Sequence, residues 1–239
     1  MKAMIFAAGL GARLKPFTDS QPKALALVNK KTLLQRNIEF LARFGIKDII
    51  INVHHFAKEV KDLLKSDSDF GSTITISDES DELLETGGGL KKAGWFFEED
   101  NSPFVVMNVD VLTDINLRGM IEQHKKSQPL ATLAVTNRHT SRYFLFDDMD
   151  QLCGWKNEKT GEQKIRREAS KFIQKAFSGI HVISPKIFPL ISMNGKFSMV
   201  DLYLDLANTH AITEFDHSNS KFIDVGKPES IMKAEKLFA

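Results

Sequence analysis

Gly9-Leu10-Gly11-Ala12-Arg13 follows the apolar run Met4–Ala8, and Lys23 stands ten residues beyond Arg13, behind Pro22. A glycine turn at the end of a buried strand offers backbone N–H groups to an anion. Two cations at this spacing suit that anion to a polyphosphate. The loop is not of the Walker type, because GxxxxGK[ST] is absent. Nor is it the dinucleotide fingerprint, since Leu14 stands where a third glycine would fall. Asp110 ends a second apolar run, Phe104–Met107. A carboxylate beyond the carboxyl end of a buried strand can hold Mg2+, a hard cation that takes oxygen ligands and usually substrate phosphates. It can equally cap a turn. Asp224, in Asp-Val-Gly before Pro228, is open to the same two readings, whereas Asp114 is expected to be a cap.

These residues need elements to position them. Strand and helix signals alternate through the first half: strands at Lys2–Ala7, Asp48–Val53, Ser72–Ser77, Phe104–Met107 and Ala131–Thr136, and helices at Leu33–Phe44, Ala57–Leu64, Gly89–Phe97 and Asn116–Lys126. A long polar loop runs to about Lys31. Such a pattern makes an α/β fold with a parallel sheet covered by helices on both faces. The second half changes character, with strands at Tyr143–Phe146, Leu152–Trp155 and Phe172–Ile183. Lys156–Ser170 holds eight charged residues in 15 and reads as an exposed hairpin or flap. A helix at Phe197–Asn208, a strand at Lys221–Val225 and a helix at Pro228–Phe238 close the chain. No Pro/Gly/Ser linker or repeat divides it. A single domain over 1–239 is expected, with residues 1 to about 115 binding nucleotide and 116–239 the second substrate.

Composition excludes several classes. The 239 residues are 42% hydrophobic with a net charge of +1, so composition does not mark a nucleic-acid binder. The first 47 residues hold nine Lys or Arg against two acids, a local excess that suits an anion site. No apolar run is long enough to span a membrane, and no signal-peptide pattern precedes the glycine turn. Cys153 is the only cysteine, which excludes an internal disulfide and fits a reducing cytoplasm. His54-His55 would point to opposite faces of a strand and so fit structural roles better than one metal ion. Trp95-Phe96-Phe97 reads as core packing.

The stretch Ala7-Ala8-Gly9-Leu10-Gly11-Ala12-Arg13-Leu14-Lys15-Pro16-Phe17-Thr18, then Pro22-Lys23-Ala24-Leu25, resembles the sugar-1-phosphate nucleotidyltransferases, whose pattern is AAGxGxRxxPxT…PKxL. Ala24 and Ala26 stand where prolines are usual. Leu84-Glu85-Thr86-Gly87-Gly88-Gly89 resembles the family's base-recognition turn, Val106-Met107-Asn108-Val109-Asp110 its strand ending in a metal-binding aspartate, and Phe222-Ile223-Asp224-Val225-Gly226 its second metal site. Glu-Thr-Gly-Gly-Gly, with Phe177-Ser178-Gly179-Ile180, is most similar to the N-acetylmuramate 1-phosphate uridylyltransferase and mannose 1-phosphate guanylyltransferase-like branch. Val109 departs from the glycine common there.

The resemblance implies a Rossmann-like nucleotide-diphospho-sugar transferase fold with a mixed, mostly parallel sheet. It implies Mg2+-dependent transfer of a nucleotidyl group from a nucleoside triphosphate to a sugar 1-phosphate, with uridine expected first and guanosine next. Ala8, Gly9, Gly11, Glu85, Thr86, Gly87 and Gly88 would bind the nucleotide with Arg13 and Lys23. Asp110 and Asp224 would hold the metal, and Arg13, Lys23 and Asp110 would carry the catalysis. Asn108, Arg142, Asn157 and Ser178 fall where the family contacts the sugar phosphate. Arg142 can also be read as a surface cation and Asn157 as a turn residue. Two alternatives stand: a cytidylyltransferase acting on phosphocholine, and a catalytically silent nucleotide-binding regulatory subunit. A monomer or small homo-oligomer without nucleic-acid or membrane partners, and without a C-terminal β-helix domain, completes the expectation.

Overall fold

The computed structural model describes residues 1–66, 68–98 and 101–239. Its elements are β1 (Lys2–Phe6), β2 (Leu27–Val28), β3 (Lys31–Thr32), α1 (Leu33–Arg43), β4 (Asp48–Val53), α2 (Ala57–Ser66), β5 (Thr73–Asp78), α3 (Glu85–Lys92), β6 (Phe104–Asn108), β7 (Val111–Thr113), α4 (Leu117–Ser127), β8 (Ala131–Thr136), β9 (Arg142–Phe146), β10 (Leu152–Asn157), β11 (Gln163–Ile165), β12 (Ile173–Ile183), α5 (Met199–Leu206), β13 (Ile212–Asp216), β14 (Phe222–Asp224) and α6 (Pro228–Leu237). The apolar runs form strands buried on both faces. In β1, Ala3 and Ile5 join one core while Met4 and Phe6 join the other. Helix α1 turns Leu34, Ile38 and Leu41 into the first core, with Thr32 accepting from Gln35 N–H as its N-cap.

The sheet runs β11-β10-β9-β12-β6-β1-β4-β5, with β8 on β12 and β13 on β8. Strands β5, β4, β1 and β6 are parallel, as expected of the β-α half. Strand β12 lies antiparallel between β6 and β8, and β9–β11 extend the sheet as antiparallel hairpins. The hairpin expected over 156–170 lies earlier, as β10 and β11 from Leu152 to Ile165, its outer strand mostly exposed, and 166–170 belong to no strand.

Three local expectations change. The loop before Lys31 is built from three short 3-10 turns and the β2-β3 pair. Trp95 is 57% exposed, while Phe97 is buried and stacked on Phe104 at 3.9 Å. Most consequentially, the helix expected over Gly89–Phe97 starts at Glu85 and ends at Lys92, so the glycine triplet is helical. Gly87 and Gly88 N–H both donate to the Phe197 carbonyl, at 2.9 and 3.2 Å. A tertiary acceptor thus starts a helix that the triplet alone would disfavour.

Each of those glycines is required by a close neighbour. A Cβ at Gly87 would lie 2.4 Å from the Phe197 ring, and one at Gly88 2.3 Å from the Gly195 carbonyl oxygen. Alanine gains about 1 kcal/mol over glycine in a helix, but overpacking costs about 1–3 kcal/mol, and a backbone oxygen yields least. Gly88→Ala is therefore expected to lower the thermal unfolding midpoint. A raised midpoint would sink the close-packing account.

One buried acid bears on pH. Burial pushes the Glu214 carboxyl up to about 7, opposed by Lys175 and reinforced by Asp150 and Asp216. Its Oε2 is buried without a partner among the described residues, and Lys175 Nζ lies 3.7 Å from Oε1. The folded state keeps a proton that the unfolded chain has released. This group therefore erodes stability as pH rises from about 4.5 to about 7. Glu214→Gln should flatten the denaturation midpoint across that window, and an unchanged slope would overturn the assignment.

Candidate active site

Strand β1 sits at the switch point of the parallel sheet. The chain steps outward from β1 to β4 and β5, then returns on the other side of β1 as β6. A crevice opens at such a point beyond the carboxyl ends of the strands, here Phe6, Asn52 and Asn108, which lie in register.

The glycine loop leaves β1 at this edge. Gly11 takes φ +62°, and a Cβ there would stand 2.8 Å from Thr18 Cγ2 and 3.2 Å from Lys23 Cβ. Glycine is required on both counts. The Gly11 carbonyl accepts from Leu14 N–H at 2.8 Å and Thr18 Oγ1 at 3.0 Å, which fixes the turn that carries Arg13. Around Gly9 a Cβ would meet nothing within 4 Å, so its surroundings are open.

On the other side of β1, Val109 N–H donates to the Phe6 carbonyl at 3.1 Å, and the Val109 carbonyl accepts from buried Asn37 Nδ2 at 2.7 Å. This turn presents Asp110. The antiparallel pairing of β7 with β14 sets Asp224 opposite Val111, and Val225 N–H donates to the Asp110 carbonyl at 2.8 Å. Asp114, expected as a cap, accepts instead from Lys221 N–H at 2.7 Å and pins the far end of β14. Asn116 is the N-cap of α4.

Two aspartates distant in sequence therefore meet, each with a cation from the loop. Lys23 Nζ bonds Asp110 Oδ2, and both side chains are largely buried. Arg13 Nη2 lies 3.8 Å from Asp224 Oδ2, and both are exposed enough for water to weaken the pair. Partial burial of a carboxylate that still meets water on one side, and then the Asp110 charge, push the Asp224 carboxyl up, while Lys23 and Arg13 pull it back. A Cβ on Gly226 would lie 2.6 Å from Asp224 Oδ1 and 3.1 Å from Arg13 Nη2, so a larger residue would push these two side-chain ends aside. Gly9, Gly11, Arg13, Lys23, Thr86, Asn108, Asp110 and Gly226 line a cavity of about 290 Å3. It adjoins a more apolar one of about 220 Å3 lined by Phe6, Ala8, Gly9, Asn52, Leu83, Glu85 and Thr86.

The donor set fits Mg2+. The ion commonly takes one or two carboxylates and completes its shell with water and phosphate oxygens. Two mutually repelling carboxylates offer that. Among the described residues no group of three or more His, Cys, Asp or Glu forms a closed protein site.

The other expected residues divide. Ala8, Glu85 and Thr86 face the apolar cavity. Gly87 and Gly88, expected to bind the nucleotide, are buried with their N–H groups spent on Phe197, so those donors are not offered to a ligand. Arg142 and Asn157 stand opposite one another across β9 and β10. Asn157 Oδ1 accepts from Lys159 N–H at 3.0 Å, the turn role. Ser178 is buried and bonded within the protein to Arg138 and His217. His54 Nδ1 meets the Glu79 carbonyl at 2.6 Å and His55 packs on Phe56, so no histidine pair forms.

Sequence reasoning missed Asn52 and Glu79. Asn52 Oδ1 accepts from Ala7 N–H at 2.8 Å, where the glycine loop begins, and its Nδ2 donates to Glu79 Oε1 at 2.7 Å. Glu79 is wholly buried, and its Oε2 accepts from Leu84 N–H at 3.3 Å, where α3 begins. One network thus ties both walls of the apolar cavity together. The visible signal was a polar Asn inside the apolar strand Ile49–Val53.

The nucleotidyl transferase family pattern matches residues 2–152. The chain belongs to that family. It is 30% identical to the mannose-1-phosphate guanyltransferase of Yarrowia lipolytica, over all of this chain and 64% of that one. It is 26% identical to the UTP–glucose-1-phosphate uridylyltransferase of Synechocystis sp., over 95% of this chain and 60% of that one. The chain thus spans somewhat under two thirds of these relatives. Among solved structures it is similar to HddC from Yersinia pseudotuberculosis complexed with GMP-PN, with a TM-score of 0.78, 25% identity and coverage of 100% and 99%. The UDP-glucose pyrophosphorylase complexed with UDP-glucose shares the fold at a TM-score of 0.74, with 18% identity over 99% of this chain and 97% of that one. Among the described residues no helix is long and apolar enough to cross a membrane.

Proposed function

We propose that this chain transfers a nucleotidyl group from a nucleoside triphosphate to a sugar 1-phosphate and releases pyrophosphate. The observation that carries this reading is the convergence of Arg13, Lys23, Asp110 and Asp224 on one crevice beyond β1 and β6. A phosphate oxygen of the sugar 1-phosphate forms a bond to the α-phosphorus, and the bond from that phosphorus to pyrophosphate breaks. The attacking oxygen is already ionised near neutral pH, so no general base is needed. Catalysis rests on alignment and on stabilising charge.

In this reading Arg13 holds the leaving pyrophosphate with its planar fork. Lys23 is a point charge beside the α-phosphate. Asp110 and Asp224 would hold Mg2+, which would supply a counter-charge to the phosphates. Residues 1–115 serve the nucleotide, with Gly9 and Gly11 at the phosphates and Ala8, Glu85 and Thr86 at the base. Residues 116–239 and Asn108 serve the sugar phosphate. Phe6 and Leu83 give the base an apolar slot with the Glu85 carboxylate at its rim.

Guanine presents two adjacent N–H donors to such an acceptor and uracil one. Among the described residues the ion pair that Glu85 makes is with exposed Lys196, at 3.6 Å, which holds it weakly. With a guanyltransferase and a GMP-PN-bound protein among the relatives, this moves GTP ahead of UTP, and mannose-type 1-phosphates become the first acceptors to try.

Pyrophosphate release should be measured with Mg2+ against panels of triphosphates and sugar 1-phosphates. The expected result is turnover highest with GTP. Turnover only with CTP and phosphocholine would replace the acceptor class. Nucleotide binding without turnover on any pair would indicate a silent regulatory subunit.

A further inference from the structure

Asn52 lines the apolar cavity near the carboxyl end of β4, yet it is only 2% exposed. An amide so buried needs partners on both of its ends. Ala7 N–H can only donate, so the atom that meets it is Oδ1, and Nδ2 is left to face Glu79 Oε1. Glu79 follows β5 directly, and its backbone is pinned to the end of β4. Its N–H donates to the Val53 carbonyl at 2.7 Å, and its carbonyl accepts from His54 Nδ1 at 2.6 Å. Because Oε2 accepts from Leu84 N–H, both carboxylate oxygens face N–H donors, which suits the ionised form. Burial pushes this carboxyl up, and the bonds from Asn52 and Leu84, then the Lys92 and His54 charges, pull it back.

This pair touches three pieces of the cavity wall. Ala7 precedes Ala8 and Gly9, and Leu84 stands between Leu83 and Glu85, all four of these neighbours lining the cavity. A Cβ on Gly89 would lie 2.7 Å from Glu79 Oε1 and 2.9 Å from Asn52 Nδ2, so α3 rests directly on the pair one turn beyond Glu85. The last of the three helical glycines is thereby explained by a close approach, as the first two are by Phe197 and Gly195.

Glu85 itself takes φ +60°, a left-handed backbone that a side chain of this kind rarely adopts. Such a conformation persists where its surroundings hold it, and it gathers at ligand sites. Here both backbone groups of the preceding residue are fixed. Leu84 N–H donates to Glu79 Oε2, and the Leu84 carbonyl accepts from Phe197 N–H at 3.3 Å.

We propose that Asn52 and Glu79 are positioning residues for the nucleotide base: Asn52 forms part of the slot wall, and the Glu79 carboxylate ties that amide to Leu84, so that Glu85 is held at a set distance from the glycine loop. The proposal rests on the nucleotidyl-transfer reading above, with the base in this slot, and adds to it a residue that acts on the base through its neighbours.

The hydrogen-bond polarity supplies the test. Glu79→Gln brings an NH2 group against either Asn52 Nδ2 or Leu84 N–H, so two donors face each other. Asn52→Asp sets two carboxylates together. In the double variant the new carboxylate accepts from Ala7 N–H and from the new amide, whose oxygen accepts from Leu84 N–H, so all three bonds return. Steady-state kinetics should be measured with triphosphate and acceptor varied separately. Each single variant should raise KM for the triphosphate about tenfold, the scale of one buried donor left unpaired, with KM for the sugar 1-phosphate within about twofold. The discrimination between GTP and UTP should narrow. The double variant should bring the triphosphate KM back to within about threefold of wild type. Rises that multiply in the double variant, or equal rises in both KM values, would overturn the proposal. If neither single variant folds, Gly89→Ala, which presses a methyl group on the pair from α3, carries the same comparison of the two KM values. A wild-type protein that turns over no pair ends the functional reading and this proposal together. An active wild type in which Glu79→Gln moves neither the triphosphate KM nor the base preference ends this proposal alone.

Discussion

Asp110→Asn is expected to lower turnover at least about 10³-fold, some 4 kcal/mol of transition-state stabilisation, while leaving triphosphate binding without metal intact. The substitution is nearly isosteric, so the turn held by Phe6, Asn37 and Val225 should persist. What changes is charge. One of the two carboxylates proposed to hold the metal is lost, and Lys23 loses its ion-pair partner. The site becomes more positive, so a triphosphate alone should bind at least as well as to the wild type. A general loss of structure would weaken that binding too, which separates the two explanations. Turnover within tenfold of wild type would make a metal role for Asp110 untenable.

Asp110 was legible because it follows a buried strand of the parallel sheet, whose carboxyl ends face ligand, whereas Asp224, on the separate β7–β14 pair, was singled out by the family resemblance. The glycine loop was legible because its spacing excluded the common phosphate loops. What one dimension concealed was contact made in the third. Asn52 and Glu79 lie on neighbouring segments, and only the parallel register of β4 and β5 brings them to the root of the loop. Arg138, Ser178 and His217 come from three separate segments. The start of α3 was missed for a related reason. By local propensity three glycines break a helix, and the Phe197 carbonyl that offsets this preference lies more than a hundred residues on. The neighbourhood of Arg142 and Asn157 was least legible because the two come together through hairpin register.

Lys23→Met offers a sharper view of the same centre, because two opposite responses are expected from one change. Methionine keeps the length and apolar stem of a side chain that is only 11% exposed, so packing should survive. In the proposed reaction the ammonium is removed from beside the α-phosphate, and turnover should fall about 10²–10³-fold, the range for one preorganised charge stabiliser. Metal binding should move the other way. In the free protein Lys23 occupies Asp110 Oδ2, and a divalent cation must compete with it. Without Lys23, Asp110 and Asp224 repel one another with the exposed Arg13 beside them and the Arg138 charge acting on Asp224 from farther off, so a dication gains more by binding. Mn2+ titration of the nucleotide-free protein, followed by electron paramagnetic resonance, should therefore show tighter binding in Lys23→Met than in wild type. Thermal unfolding should be rescued by Mg2+ more strongly in the variant. Weaker Mn2+ binding would mean that Lys23 does not compete for the metal carboxylate. Turnover within tenfold of wild type would remove Lys23 from the chemistry and leave it only a loop-positioning role.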